Sequence, residues 1–211
     1  MKFKLLFSIL FFWHCSIQSG QCQDFIEFDI SVAGINIGEM KATQIKSEHK
    51  LKIEIQSQVR FWFFTWVDVK FDSESNYHNG YLVHATSNTA SNKGDFSSSI
   101  YWNKDKYIVN SNAYKFENQT PIHDLVVYST SKLYFEEPNE NDVFLAENFG
   151  ILSLISKHKG YYEIEVNGNR NKFYYENGLF VKISAPHLSG EDCIFIRLYS
   201  ISSFPNPARS F

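Results

Sequence analysis

The sequence predicts an all-β protein: an antiparallel up-and-down meander that curls into a barrel or half-barrel and carries one short helix. Three observations lead there. Apolar and polar residues alternate in twos along several segments, Asn-Gly pairs punctuate them, and the chain is rich in rings, with 20 Phe and 12 Tyr. Alternation sends successive side chains to opposite faces of a strand, which gives a sheet one buried and one wet face. Rings pack well on such a pleated surface.

The first strand signal is Ile26, Phe28, Ile30 and Val32, interleaved with Glu27, Asp29 and Ser31. Leu51, Ile53 and Ile55 alternate with Lys52, Glu54 and Gln56, and Ser57 and Val59 continue the inner register. Tyr162, Ile164 and Val166 do the same around Glu163 and Glu165. None of these stretches has the 3.6-residue repeat of an amphipathic helix. Asn79-Gly80, Asn167-Gly168 and Asn177-Gly178 supply residues that tolerate the positive φ of tight hairpin turns. Gly34 and Gly38 suggest a bend or bulge in the first hairpin, and Asn92-Lys93-Gly94 and Asn103-Lys104-Asp105 read as further turns. Asp124 to Phe135 is the segment expected to form the helix, with Leu125, Tyr128, Lys132 and Phe135 at helical intervals and Pro138 ending it. A meander of about eight to eleven strands is long enough to close or split, so a two-sheet sandwich is the alternative architecture.

The N-terminus reads as an address. Lys2 and Lys4 precede the apolar run Leu5 to Trp13, and small polar residues follow to Gly20. That order is a secretory leader, too short to span a bilayer, which needs about 20 apolar residues. Residues 1–22 are therefore expected to be cleaved after Gly20 or Cys22, leaving a single β domain over 23–203 and an irregular tail over 204–211. His14 and Gln21 stand before Cys15 and Cys22, where lipoprotein processing wants a small residue, so a lipid anchor is not expected. The formal charge of −3 leaves no electrostatic footprint for nucleic acid, and no later run is long enough for a transmembrane span.

A catalytic site is not expected. The chain has no G-x-S-x-G elbow, no Walker loop and no G-x-G-x-x-G stretch, and its histidines are not spaced as zinc ligands. No metal or cofactor is implied. His78 and His84 flank a hairpin and read as exposed turn neighbours. Cys193 has acidic neighbours, Glu191 and Asp192, that oppose thiolate formation, so it reads as a buried thiol despite His187 nearby. Glu136 and Glu137 are consecutive on an extended chain and point opposite ways. The densest chemical signal is aromatic: Phe61, Trp62, Phe63, Phe64 and Trp66. On a strand Trp62, Phe64 and Trp66 share one face, which makes them the candidate ligand-binding residues, as a lip or pocket wall for an apolar ligand, a membrane surface or a partner.

The stretches FDISVAGINIGEM (Phe28 to Met40), FWFFTWVDVKFDSES (Phe61 to Ser75), LYFEEP (Leu133 to Pro138), ENFG (Glu147 to Gly150) and YYENG (Tyr174 to Gly178) occur in consistent order over most of the chain. Together they resemble an uncharacterised secreted family of Bacteroidetes-type bacteria known only as a domain of unknown function. The resemblance implies a mostly β domain, exported to the envelope of a Gram-negative cell, and implies no activity. The expected function is that of a non-catalytic, periplasmic or extracellular binder of an apolar or lipid-like small molecule. A structural or interaction component that meets another envelope protein is the alternative. A surface hydrolase built from Glu137, His123 and Asp124 gathered in one cleft ranks third.

Overall fold

A computed structural model describes residues 22–63, 65–92, 94–186 and 192–203. Residues 1–21, where a leader is expected, the expected tail over 204–211, Phe64, Lys93, His187 and Glu191 lie outside them. Among the described residues fifteen strands form one sheet. They are β1 (Cys22–Val32), β2 (Ile35–Lys46), β3 (Lys50–Phe63), β4 (Thr65–His78), β5 (Tyr81–Ser91), β6 (Gly94–Trp102), β7 (Tyr107–Ala113) and β8 (Phe116–Asn118), then β9 (Tyr128–Ser129), β10 (Val143–Ala146), β11 (Ile151–His158), β12 (Tyr161–Val166), β13 (Asn169–Glu176), β14 (Leu179–Pro186) and β15 (Asp192–Ser203). The spatial order is β8 back to β1, then β15 back to β9. Two meanders thus meet where β1 pairs with β15, and every pairing is antiparallel except β9 with β10. One sheet curled into a half-barrel replaces any two-sheet sandwich.

The turns are where local chemistry placed them. Asn79-Gly80, Asn167-Gly168 and Asn177-Gly178 hold positive φ at both residues, between 47° and 85°, the backbone of a tight hairpin whose twist matches its strands. The register slips at Ile30/Ser31, opposite Gly38 and Asn36, as a bulge in the first hairpin. His84 pairs with Asn76 rather than with His78.

The expected helix over Asp124 to Phe135 shrinks to a single 3-10 turn at Lys132–Tyr134 preceded by the two-residue strand β9. The reason is non-local. Val126 N–H donates to the Tyr107 hydroxyl (3.2 Å) and Val126 C=O accepts from Leu82 N–H (2.9 Å). Backbone groups that a helix would have paired internally are paired to the sheet wall instead.

Antiparallel alternation puts the β1–β2, β3–β4, β5–β6, β7–β8, β12–β13 and β14–β15 connections at one end of the sheet, here the upper end. The segment from residue 119 to 146 turns into the lower half of the half-barrel and packs it. Ile122, Val126, Tyr128, Leu133, Tyr134, Phe144 and Leu145 from this plug are buried with Ile26, Phe28, Ile53, Ile100 and Phe180 of the sheet. The rings of Phe28, Tyr134 and Phe180 meet one another with centroids 5.2–5.5 Å apart, and truncating such a buried ring costs about 3–5 kcal/mol. Lys132 is buried as well. Its ammonium lies over the Tyr128 ring at 4.5 Å and pairs with Glu136 at 3.4 Å.

The open side of the half-barrel is fastened by the turn that follows β10. Inward-facing residues opposite one another across the sheet form a continuous row: Ile26, Ala42, Ile55, Ser73, Ser87, Ser98, Ser111, Asn118. The row changes from apolar to polar at β4, and the turn lies along its polar part. Ser98 donates to Glu147 C=O (2.6 Å), Ser111 to Asn148 C=O (2.7 Å), and the Asn118 amide to Phe149 C=O (3.2 Å) and Gly150 C=O (2.8 Å). Gly150 has φ +63°, and a Cβ there would collide with Val109 Cγ1. Gly150→Ala is expected to destabilise the protein by about 2–4 kcal/mol in urea unfolding, combining a strained φ with overpacking. Adding Val109→Ala should recover part of that loss. Additive costs of the two substitutions would show that the collision does not set the effect.

Candidate functional site

Above the plug the half-barrel is a cup. Its larger cleft, about 620 Å³, has one wall made by Met40 and Phe71 and another by Ile164, Val166, Phe173 and Ile183. Thr130, Tyr134, Phe144 and Ala146 of the plug form its floor, and Asn169 and Ala185 stand at its rim. A smaller cleft of about 400 Å³ lies on the other side of Asn148 and Phe149, which line both. Val69, Phe96, Ala113 and Tyr114 are its apolar lining. The volumes fall within the range of about 300–1,000 Å³ usual for small-molecule sites.

Beneath the cup sits the one feature that sequence reasoning missed, a buried acid. Glu147 is 3% exposed and its carboxylate accepts from Ser75 (2.5 Å), Ser131 (2.8 Å), Ser73 (3.5 Å) and Ser129. Ser129 in turn bonds the Tyr77 hydroxyl at 2.5 Å and Ser131 at 3.1 Å. Burial pushes the Glu147 carboxyl above its ordinary value, and the bonds from Ser129, Ser75 and Ser131 offset this only in part. Burial likewise raises the Tyr77 and Tyr134 phenols, with Glu147 adding to both shifts. Ser75, Ser129 and Ser131 have no exposed surface, so no substrate reaches these hydroxyls. The arrangement anchors a turn and offers no accessible nucleophile.

Trp62 and Trp66 face each other across β3 and β4. They sit on the face opposite Ser57 and Phe71, which means outside the cup. They are 64% and 57% exposed. The β2–β3 ladder ends at Val59 and the β4–β5 ladder begins at Val69, so residues 60–63 and 65–68, paired with each other, project as a two-stranded tip past their neighbours. The Arg60 guanidinium lies over the Trp66 ring at 5.2 Å. Phe64, the third aromatic candidate, is outside the described residues.

The remaining candidates do not converge. Glu136 accepts from Tyr128 (2.9 Å) while Glu137 accepts from Tyr162 (2.8 Å), so the two carboxylates serve different partners. His123 and Asp124 are exposed. Cys193 pairs along its backbone with Val32 and Ala185 within the β1–β15–β14 ladder. Among the described residues no group of three His, Cys, Asp or Glu side chains is placed to hold a metal ion, and no helix is long and apolar enough to cross a membrane.

The raised Glu147 carboxyl has a consequence for stability. A folded-state pKa above the unfolded value means that the folded protein holds the proton more tightly. Its contribution is present at low pH and is lost as pH rises through the ordinary carboxylate range toward the raised value. Glu147→Gln keeps the shape and removes the titration. The stability of the natural protein relative to this variant should fall as pH rises above the ordinary carboxylate range, by up to about 1.4 kcal/mol per pH unit. Urea-unfolding profiles that stay parallel over that rise in pH would contradict a carboxyl held above its ordinary value.

Among solved structures the chain is similar to a β-barrel-like protein of Brucella abortus, the domain of unknown function DUF1849. The likeness has a TM-score of 0.53 at 7% identity and covers 89% of this chain and all of the other. At that identity it speaks for the shared fold. No curated protein matches the chain. Residues 28–198, from the first core strand to the closing one, match a single family. By that match the protein belongs to the family described as Domain of unknown function (DUF6134).

Proposed function

We propose that this protein is an exported, non-catalytic binder of an apolar, lipid-like small molecule, which it holds in the cup. One observation carries the reading: an apolar cleft, open at the upper end and floored by the chain's own plug, whose lining among the described residues includes no charged side chain. Apolar burial in such a cleft supplies affinity at about 25 cal/mol per Å², and the few amides and hydroxyls at its sides orient what enters. The leader-like N-terminus supports export to a periplasm or beyond.

Two measurements test this. Native mass spectrometry of the mature chain, purified from its own periplasm or culture fluid, should show a discrete adduct that solvent extraction removes. Ala185→Trp, at the rim of the larger cleft, should weaken binding of the fluorescent probe N-phenylnaphthylamine roughly tenfold, with little change in melting temperature. A clean mass together with unchanged probe affinity would refute the reading.

A second reading, contact with another envelope protein, is favoured by the projecting tip. Two tryptophans exposed outside the cup resemble the aromatic anchors of interfaces. On this reading Trp62→Ala with Trp66→Ala abolishes in-cell crosslinking to a partner and leaves probe affinity as it was. Undiminished crosslinking in the double variant would remove the tip from consideration.

A further inference from the structure

The cup is forked. Its two lobes, about 620 and 400 Å³, share Asn148 and Phe149 and diverge on either side of them. The Phe149 ring is fixed as a divider, packed edge-on against Phe116 with centroids 5.4 Å apart, and its backbone is held by Asn118. The divider is therefore part of the seam and not a loose side chain. Among the described residues no charged side chain lines either lobe, and the polar lining is amide and hydroxyl.

Two polar groups in this setting have no protein partner among the described residues. The Asn148 carbonyl accepts from Ser111, but its side-chain amide bonds to nothing among the described residues. Tyr134 lines the floor of the larger lobe and is 6% exposed, and its hydroxyl likewise has no hydrogen-bond partner among the described residues. Asn148 is half-buried and the Tyr134 hydroxyl is not fully enclosed, so both meet the water of the cup and can exchange it for a ligand's polar atoms. A phenol offers a donor; a primary amide offers both a donor and an acceptor.

We propose that the cup takes a two-chain ester lipid, one acyl arm in each lobe, with its ester node at Asn148 and an ester oxygen accepting from the Tyr134 hydroxyl. The proposal rests on the reading of the cup as an apolar-ligand site and names the ligand class. The fork accounts for two arms, the unpaired amide and phenol for neutral oxygens near where they part, and the uncharged lining for a head group left in solvent at the upper end. A single-chain lipid would fill one lobe and leave the other, and a charged group carried into either lobe would meet no counter-charge among the described residues.

The test is calorimetric titration with dioctanoyl phosphatidylcholine and its one-chain counterpart, octanoyl lysophosphatidylcholine. The natural protein should bind the two-chain lipid at one per chain and at least roughly tenfold more tightly than the one-chain lipid. Replacing choline by a glycerol head, which makes the lipid anionic, should change affinity less than about twofold, since none of the described residues that line the lobes is charged. Ala113→Trp, which fills the smaller lobe, should bring the two-chain lipid down to the one-chain level and leave the one-chain lipid unchanged. Tyr134→Phe should weaken the two-chain ester about fivefold, the weight of one hydrogen bond, and leave N-phenylnaphthylamine, which has no ester, where it was. Equal affinity for both lipids, with Ala113→Trp inert, overturns the two-arm proposal while the apolar-ligand reading stands. If neither lipid nor N-phenylnaphthylamine binds, both fall together.

Discussion

The constraint on which the rest depends is the fastening of residues 147–150 along the row of inward hydroxyls. A fifteen-stranded meander with two free ends has no intrinsic reason to stop at a given curvature, and its unpaired edges invite other strands. Here β8 and β9 do not pair with each other. The turn between β10 and β11 instead spends its carbonyls on Ser98, Ser111 and Asn118, one strand after another. Each bond is worth about 1 kcal/mol net. Their larger effect is geometric, because together they fix how far the sheet curls and which residues of the plug face which strands.

That fixed curvature divides the interior. Below the turn the plug fills the space with Leu133, Phe144, Leu145 and the ring trio of Phe28, Tyr134 and Phe180. Above it the walls continue in apolar residues, Phe71 and Val69 on one side and Val166 and Ile183 on the other, with no further chain between them among the described residues. Packed core and cavity are thus not alternatives here. The same strands serve both, and the plug decides the height at which one becomes the other. Asn148 and Phe149 stand in the middle of the cup for the same reason: the fastening that closes the seam also carries the divider.

What the sequence made legible was whatever short-range chemistry decides. Asn167-Gly168 must be a turn because its φ values suit few other pairs, and Ile26 to Val32 must be a strand because of its two-residue period. The helix over Asp124 to Phe135 failed because its competitor, the wall around Leu82 and Tyr107, is distant in sequence. Glu147 and its serines were hidden for a similar reason. Ser73, Ser87, Ser98 and Ser111 are scattered along the chain and become one row only once three registers are known. A serine on an otherwise apolar face also reads locally as a break in the pattern, and Ser97-Ser98-Ser99 masks its own phase. Trp62 and Trp66 were visible as unusual, and their shared face followed from alternation. That this face is the outer one depends on register with Ser57 and Phe71.

A buried acid among four hydroxyls is not an economical way to stabilise a core, since an apolar group of the same shape would avoid desolvating a carboxyl. Its value lies in discrimination. The inner face of β4 offers the plug several places to rest, and apolar packing tolerates shifts among them. A carboxyl that must meet Ser73, Ser75, Ser129 and Ser131 at once satisfies its partners at one position only. Any other register would leave those hydroxyls, and the Tyr77 phenol behind Ser129, buried without partners, at about 1–3 kcal/mol apiece. The polar cluster therefore sets the height of the plug, and with it the depth of the cup that the plug floors.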